Sequence, residues 1–370
     1  MDEKLKIIQS CGSPSWGGLE IMALETSKEL INKGHDVVLF CRKNSTLYNE
    51  AQKSGIKSFE VFDKDKYLFG SIRKIKTILN TDKYEIIHTH YSHDLWALVP
   101  ALKRNNLKLF LTKHVASIPK KDLLHRYLYK RVNGLFAISN YIKECVIEKY
   151  PVPKERIFLL HDFINLKNFD KSLYNKSETR KVHKIPENAI VIGMAGRISP
   201  GKGHEDFIDA TKIILKNNSQ NIYFVIIGGA SHGEDEYGKK IKLYAKESGI
   251  ADKIIFTGFS SEIPKLLNIL DIFVLPSHEE SFGIIVLEAM AIGLPVIATN
   301  NAGAVDIVVN NETGILLEPK KPGQIAEAVQ KLMDDKNKRD NFGTAGRKRI
   351  EEVFSTDIII SQLLEYYKTL

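Results

Sequence analysis

The sequence predicts an α/β protein built from two parallel-sheet domains, and three observations carry that reading. The chain has 370 residues, a length that points to two domains. Short apolar strands alternate with helices through both halves, the pattern of parallel sheets covered by helices on both faces. In each half, one strand runs through a glycine-bearing loop straight into a helix, at Lys6–Gly18 and at Ala189–His204.

Composition narrows the class. At 43% hydrophobic and 26% charged residues, the chain is that of an ordinary globular protein. No apolar run approaches the ~20 residues of a membrane-spanning helix. The first strand begins almost at once, at Leu5-Lys-Ile-Ile8, so no signal peptide is expected. Cys11, Cys41 and Cys145 are odd in number and widely spaced, with no metal or disulfide pattern; a reducing cytoplasm is the expectation. A net charge of +8 and a pI near 9.0 suit anionic partners such as nucleotide phosphates or an acidic membrane surface. The chain lacks any zinc-finger or RNA-recognition signature, so nucleic acid is not expected as a partner.

In the first half, strands are expected at Lys6–Gln9, Val37–Cys41, Ile86–Thr89, Leu107–Thr112, Gly134–Ile138 and Ile157–Leu160. Between the first two, Cys11-Gly-Ser-Pro-Ser-Trp-Gly17-Gly18 leads into a helix from about Leu19 to Asn32. A G-x-G-x-x-G pattern is absent, so a nicotinamide site has no support. Glu85-Ile-Ile-His-Thr-His-Tyr-Ser-His-Asp94 crowds His88, His90 and His93 at the C-terminal end of a strand, where open α/β sheets bind ligands. Acceptor contact or a structural polar cluster suits them better than a metal, because no carboxylate or cysteine set completes such a site. Asp63-Lys-Asp65 is the one D-x-D pattern and lies in a charged loop; it is discounted as a metal site. Lys66–Lys76 and Lys121–Val132 are basic, with Tyr and Leu interleaved. Such segments lie on anionic headgroups, or pack as helices with their charges in water. A domain boundary is expected near 165–187, with Lys171–Lys184 of linker composition.

The second half opens with the strand Ala189–Gly193 and the loop Met194-Ala-Gly-Arg-Ile-Ser-Pro-Gly-Lys-Gly203, which places Arg197 and Lys202 five residues apart. It is not a Walker A loop, since Gly203 stands where Ser or Thr is needed. Strands follow at Asn221–Ile227, Lys253–Phe259 and Ile272–Leu275, the last two separated by a short helix from Glu262 to Asn268. Pro276 and Ser277 end the third of these strands, Gly283 allows close backbone approach, and a helix runs to Ile292 before Gly293 and Pro295 stop it. N–H groups from about Ser281 to Ile285, Ile284 among them, are expected to be unpaired and to attract a phosphate. Glu280 and Glu288 bracket that site. If the segment is helical throughout, eight residues span about 12 Å. That is the reach from a sugar across a diphosphate to a ribose, and each carboxylate accepts hydrogen bonds from paired hydroxyls. Three further helices are expected at Gln324–Met333, Asn337–Glu352 and Asp357–Tyr367.

Several of these features coincide with one family. The E-x7-E spacing of Glu280 and Glu288 with Ser281-Phe282-Gly283 between them, the G-x-P-V tail at Gly293–Val296, and Gly196-Arg197 followed by Lys202-Gly203 resemble the family-4 retaining glycosyltransferases of the GT-B fold. The resemblance covers nearly the whole chain and is strongest from Gly193 to Pro319. One departure is Ala302-Gly303 with Asp306, where the family commonly has G-G-x-x-E.

The resemblance implies two Rossmann-like domains facing a central cleft. Residues 1–170 would bind the acceptor and 185–354 the donor, with the C-terminal helix, 355–370, crossing back to the first. Arg197 and Lys202 would hold the donor diphosphate, Glu280 the sugar and Glu288 the ribose. Gly258-Phe259 would meet the base, partly through backbone. Gly17-Gly18 and His114 would meet the donor from the other domain.

The activity implied is transfer of a hexose-type sugar from a nucleotide-diphosphate sugar, UDP favoured and GDP second, to a hydroxyl of a cell-envelope glycan or lipid-linked acceptor. No carboxylate is an obvious nucleophile on the sugar's far face, so front-face substitution is favoured over double displacement through Glu280. Two fixed cations replace a metal, and no cofactor is expected. The protein is expected in the cytoplasm, with peripheral contact at the inner face of the membrane. The rival readings are a nucleotide-sugar epimerase of the same fold, a phosphorylase requiring pyridoxal phosphate, and a binding protein without chemistry.

Overall fold

The computed structural model describes residues 4–63, 68–103, 105–120, 122–218, 221–230 and 235–370. It divides into two compact units, Met1–Asp162 with Thr356–Leu370, and Phe163–Ser355.

Among the described residues the first unit holds a seven-stranded parallel sheet: β1 (Lys6–Cys11), β2 (Asp36–Arg42), β3 (Ser58–Phe62), β4 (Ile86–Thr89), β5 (Lys108–Lys113), β6 (Gly134–Ala137) and β7 (Ile157–Leu159), in the order β3-β2-β1-β4-β5-β6-β7. Its helices are α1 (Gly18–Asn32), α2 (Thr46–Lys53), α3 (Leu68–Thr81), α4 (Leu95–Ala101), α5 (Leu123–Lys130) and α6 (Asn140–Lys149). The central strands read as apolar runs because both faces are covered; Ile7, Ile8, Leu39, Phe40 and Leu109 are fully buried. Sequence reasoning missed β3. It is an edge strand whose first three residues are only half-buried, so its hydrophobic signal is weak.

The second unit opens with α7 (Lys176–Val182), inside the segment expected to be a linker. The charged composition there misleads, because the charges are satisfied by protein rather than water. Arg180 is buried. Its guanidinium donates to the carbonyls of Ile269, Glu187 and Ala189 and to Asp271 at 2.8 Å, while Lys176 reaches Asp271 at 2.9 Å. There follow β8 (Ile190–Ala195), α8 (His204–Asn217), β9 (Ile222–Ile227), α9 (Asp235–Glu247), β10 (Ile254–Gly258), α10 (Ile263–Leu267), β11 (Ile272–Leu275) and α11 (Ile284–Ala291). The unit finishes with β12 (Val296–Thr299), α12 (Ala304–Ile307), β13 (Gly314–Leu317), α13 (Pro322–Asp334) and α14 (Lys336–Val353). The six strands are parallel in the order β10-β9-β8-β11-β12-β13, and Ile192, Phe207, Phe224, Ile272 and Val329 lie in the core that packs helices onto them.

The chain then returns to the first unit as α15 (Thr356–Thr369). Tyr367 is buried against Phe110 and His88, and Lys108 Nζ donates to the Tyr367 carbonyl at 2.9 Å. Both sheets reverse direction of winding once, between β1 and β4 and between β8 and β11. Crevices at the carboxyl ends of such strand pairs are the ligand sites of doubly wound sheets.

Candidate active site

In the second unit the loops that leave β8 and β11 meet at the reversal point. The first, residues 196–203, starts along β9, with the Ile198 N–H donating to the Gly229 carbonyl at 2.9 Å. It ends at Gly203, whose φ is 75°; a Cβ there would sit 2.0 Å from the Pro276 carbonyl oxygen. Only glycine lets the loop seat on the end of β11. The second loop, residues 276–283, is tied back to it. The His278 N–H donates to the Gly201 carbonyl at 2.8 Å, and His278 Nε2 lies 2.6 Å from Asp206 Oδ2 in the first turn of α8. Thr299 Oγ1 donates to the Ser277 carbonyl at 2.6 Å, and Asn301 Nδ2 donates to the Ser277 and His278 carbonyls. Neither the His278–Asp206 pair nor the Thr299–Asn301 brace was foreseen. Their partners lie 72 and more than 20 residues away, beyond any local pattern.

This frame sets the two expected cations apart. Lys202 Nζ donates to Glu280 Oε2 at 2.7 Å, with side chains 24% and 16% exposed, and Ser277 Oγ lies 3.4 Å from the same oxygen. Arg197 is exposed and makes no hydrogen bond or ion pair among the described residues. Gly283, with φ 102°, turns the chain into α11, so the helix starts only at Ile284. The continuous helical span assumed for about 12 Å between the glutamates is therefore not present. Glu288 is the fifth residue of α11, little more than one turn in. It is half-buried, its carboxylate has no partner among the described residues, and burial pushes its pKa up to about 7. Ser281 and Ile284 are half-buried at the head of the helix, while the Phe282 ring is core, 6.0 Å from the Phe354 ring. Ala302 adopts a φ of 46° where the family commonly has glycine.

Gly258 ends β10, the edge strand two strands from β8, and Phe259 follows it. Phe259 is 80% exposed and lines an open cleft of about 500 Å³ with Tyr174, Glu178, His183 and Lys265. That cleft's lining does not include Lys202, Glu280 or Glu288.

In the first unit, Asp94 closes the reversal point. Its carboxylate accepts from Ser10 Oγ at 2.7 Å, the Gly12 N–H at 3.0 Å and Thr89 Oγ1 at 3.1 Å, while burial pushes its pKa up to about 7. The loop so anchored leads to Gly17, the extended N-cap of α1, and to Gly18, its first residue. Beside it His88 and His90 stack at 4.6 Å, and His90 and His114 at 5.4 Å. Burial holds His88 at about 3 and His90 well below the usual imidazole range, so both are neutral at neutral pH. Gln9 Nε2 donates to Tyr367 Oη at 3.2 Å, and His88 joins Tyr367 Oη to Thr112 Oγ1, each 2.6 Å from one of its ring nitrogens. His90 Nε2 donates to Gln9 Oε1 at 2.9 Å, and His114 Nε2 to His90 Nδ1 at 3.1 Å. His114 Nδ1 faces Asp162 Oδ1 at 3.6 Å. Both ring nitrogens of His114 thus face protein groups, and the residue is 6% exposed. His93 stands apart, exposed after β4. Among the described residues no group of three or more His, Cys, Asp or Glu is placed to hold a metal; Asp63 pairs with Lys74, and Asp65 lies outside the described residues.

Comparison with known proteins adds the family. Residues 175–349 match the family described as glycosyl transferases group 1, and residues 16–168 match glycosyltransferase family 4. The capsular polysaccharide biosynthesis glycosyltransferase CapM of Staphylococcus aureus is 33% identical over 237 residues, covering 64% of this chain and 61% of that protein. The UDP-Gal:alpha-D-GlcNAc-diphosphoundecaprenol alpha-1,3-galactosyltransferase of Escherichia coli is 26% identical over 350 residues, 90% of this chain and 89% of that one. A crystal structure of a glycosyltransferase from Rickettsia africae superposes with a TM-score of 0.91 at 25% identity, over 99% of this chain and 98% of that one. With two parallel-sheet units of Rossmann type, each ending in the loops described above, and with both family matches in register with those units, the chain belongs to the family-4 glycosyltransferases of the GT-B fold.

Proposed function

We propose that this enzyme is a retaining hexosyltransferase that takes its sugar from a nucleotide diphosphate, UDP in first place, without a metal or cofactor. The observation that carries the proposal is the meeting of the β8 and β11 loops, with Lys202 held on Glu280 and Arg197 free beside them on the same loop. In this reading the second unit binds the donor. Its diphosphate competes with Glu280 for Lys202 and takes Arg197 as a second cation. Glu280, released, accepts hydrogen bonds from sugar hydroxyls, and Glu288 accepts from the ribose. The bond from C1 to the diphosphate oxygen breaks, the acceptor oxygen bonds C1 on the same face, and the acceptor proton passes to the departing diphosphate. Arg197 and Lys202 stabilise the charge that develops on the leaving group.

The first unit binds the acceptor in this reading, a cell-envelope glycan or lipid-linked hydroxyl compound. A relative whose acceptor is a diphosphoundecaprenol supports that class. The enzyme works in the cytoplasm, against the inner face of the membrane. Among the described residues no helix is long and apolar enough to cross a membrane. In this reading the surface contact is made by the first unit, and the exposure of Phe69 on α3 and of Leu123, Leu124 and Tyr127 on α5 among basic residues supports it. Lys66, Tyr67 and Lys121 of those segments lie outside the described residues.

Two measurements test the proposal. Arg197→Ala and Lys202→Ala are expected to keep the fold and to lose roughly 10²–10³ in turnover, the loss typical of a transition-state charge partner, with wild-type turnover unaffected by excess EDTA. Near-normal turnover of both variants at saturating donor, or activity lost to chelator and restored by manganese, would overturn it. Binding to anionic vesicles at low salt, released as salt rises, is expected for the membrane contact; equal binding to neutral and anionic vesicles removes it.

A further inference from the structure

Glu20 stands in the first turn of α1 and is 4% exposed, yet among the described residues its carboxylate makes no hydrogen bond and no ion pair. Burying a carboxylate without a partner is costly, and such a group calls for a reason. Glu20 is the third residue of the helix after the N-cap Gly17, the position from which a Glu reaches back to cap the helix. No such bond forms here. Oε2 instead lies 3.6 Å from where a Gly17 Cβ would stand, so the carboxylate is turned toward the N-cap, and glycine leaves it uncovered. Its oxygens are not among the unpartnered side-chain atoms sealed from solvent, so they reach the surface of the loop.

The surroundings favour one kind of ligand. Gly17 is half-buried and Gly18 exposed, which leaves the head of α1 open. Trp16, Leu19 and Tyr91, all partly buried, pack on the cluster that holds Cys11, Ala23 and Leu24. A helix head ordinarily attracts an anion through its unpaired N–H groups and its dipole. At α1 an internal carboxylate already takes that role, so a phosphate arriving there meets a like charge. A hydroxyl instead donates to the carboxylate, and the apolar side chains beside it suit the C–H side of a sugar.

We propose that Glu20 recognises the acceptor, its carboxylate accepting a hydrogen bond from a sugar hydroxyl at the head of α1. That assignment rests on the reading of the first unit as the acceptor domain. It makes the group met at Gly17 and Gly18 a neutral polyol rather than the donor diphosphate. The hydroxyl supplies the partner that the protein withholds, and a bond to a carboxylate is stronger than one between neutral groups.

The chain has two tryptophans, Trp16 and Trp96, so Trp96→Phe leaves one fluorophore beside Gly17 and Trp16→Phe leaves one on α4. Methyl α-D-glucoside, methyl α-D-galactoside, methyl α-D-mannoside and methyl N-acetyl-α-D-glucosaminide are each titrated into both full-chain variants, with and without UDP. At least one is expected to shift Trp16 emission to saturation. In that background Glu20→Gln is expected to weaken its binding about 10-fold. The melting temperature should not fall, since Gln serves the third helical position as Glu does. Gly17→Ala, whose methyl covers Oε2 from outside, is expected to weaken binding too, and decides the matter should Glu20→Gln fail to fold. UDP affinity measured by calorimetry is expected to be equal with and without Glu20→Gln; a different affinity in the variant places the carboxylate at the nucleotide and overturns the assignment. Sugar affinity unchanged in Glu20→Gln or, failing that variant, in Gly17→Ala also overturns it. A response of Trp96 alone moves the acceptor away from Glu20 and overturns the assignment while keeping the first unit as acceptor domain. No response of either tryptophan overturns both.

Discussion

At Glu288 a carboxyl group with no partner among the described residues has its pKa pushed up to about 7 by burial, from an ordinary value near 4.5. The unfolded chain ionises this group first. Glu288 therefore costs stability as pH rises from about 4.5 to about 7, and the cost is constant above that. Ribose hydroxyls that donate to the carboxylate favour its charged form, so donor binding is expected to release a proton below pH 7. The ratio of wild-type to Glu288→Gln affinity for UDP should then grow from pH 6 to pH 8. The nucleotide's own phosphate ionisation is common to both proteins and cancels in that ratio. A ratio independent of pH removes Glu288 from the ribose. Glu280 is expected to behave differently, because its carboxylate occupies Lys202 at 2.7 Å in the ligand-free chain. Glu280→Gln weakens that competition. It should tighten sugar-free UDP by roughly 3- to 10-fold, the scale of a half-buried ion pair, while slowing transfer. Weaker UDP binding in Glu280→Gln would show that Glu280 holds the nucleotide itself.

At the scale of elements, the site depends on loops that carry almost no secondary structure and are stiff because of close backbone approach. Gly203 is the tightest instance. Its left-handed φ of 75° and the Pro276 carbonyl 2.0 Å from the position of a Cβ leave no room for a side chain, and backbone cannot swing aside as a side-chain tip does. Gly203→Ala is expected to lower stability by about 2–4 kcal/mol and to weaken UDP binding with it, since the same shift carries Lys202 away from Glu280. Thermal unfolding and UDP calorimetry check the pair; a variant with normal stability and normal UDP affinity shows the loop to be pliable. The helices illustrate the complementary point. α11 is apolar apart from Glu288 and mostly buried, so its role is to fix Glu288, while α5 exposes Leu123 at 81% and leaves only Leu128 and Tyr129 inside.

For the whole molecule, α15 is the part of the chain that ties its last residues to its first strand. Tyr367 connects Gln9 on β1 and His88 on β4, and through Gln9 the line of bonds reaches His90 and His114. Tyr367→Phe keeps the ring among Phe110 and His88 but leaves Gln9 Nε2 and His88 Nδ1 without their partner in a buried site. The expected cost is about 2–4 kcal/mol for two unsatisfied groups. Truncation before Thr356 exposes the same groups together with Ile360 and Leu363, and is expected to leave the first unit aggregation-prone. Near-wild-type thermal stability of Tyr367→Phe would show that the histidine line does not depend on the helix.

The elements and the family were legible in the sequence because their causes are local. Apolar runs such as Ile272–Leu275 mark buried parallel strands, Gly293 and Pro295 stop a helix, and the spacings Arg197 to Lys202 and Glu280 to Glu288 survive in one dimension. Where local composition and tertiary environment disagree, the sequence misleads: Lys171–Lys184 reads as a solvated linker, yet Arg180 is buried on carbonyls of residues as far away as Ile269. Pairing across long separations is likewise invisible along the chain. Lys202 meets Glu280 across 78 residues, His278 meets Asp206 across 72, and His88 meets Tyr367 across 279. The sequence by itself thus determined the alternation of apolar strands with helices, though not β3 or α7, the two-unit plan and which residue types stand at the sheet ends. Only the tertiary structure decided which charges are compensated, Lys202 by Glu280, and which are buried without a counter-charge, Glu288 and Lys113. The reason is physical: whether a buried charge is stable or reactive depends on the groups packed within a few ångströms of it, and folding brings those from anywhere in the chain.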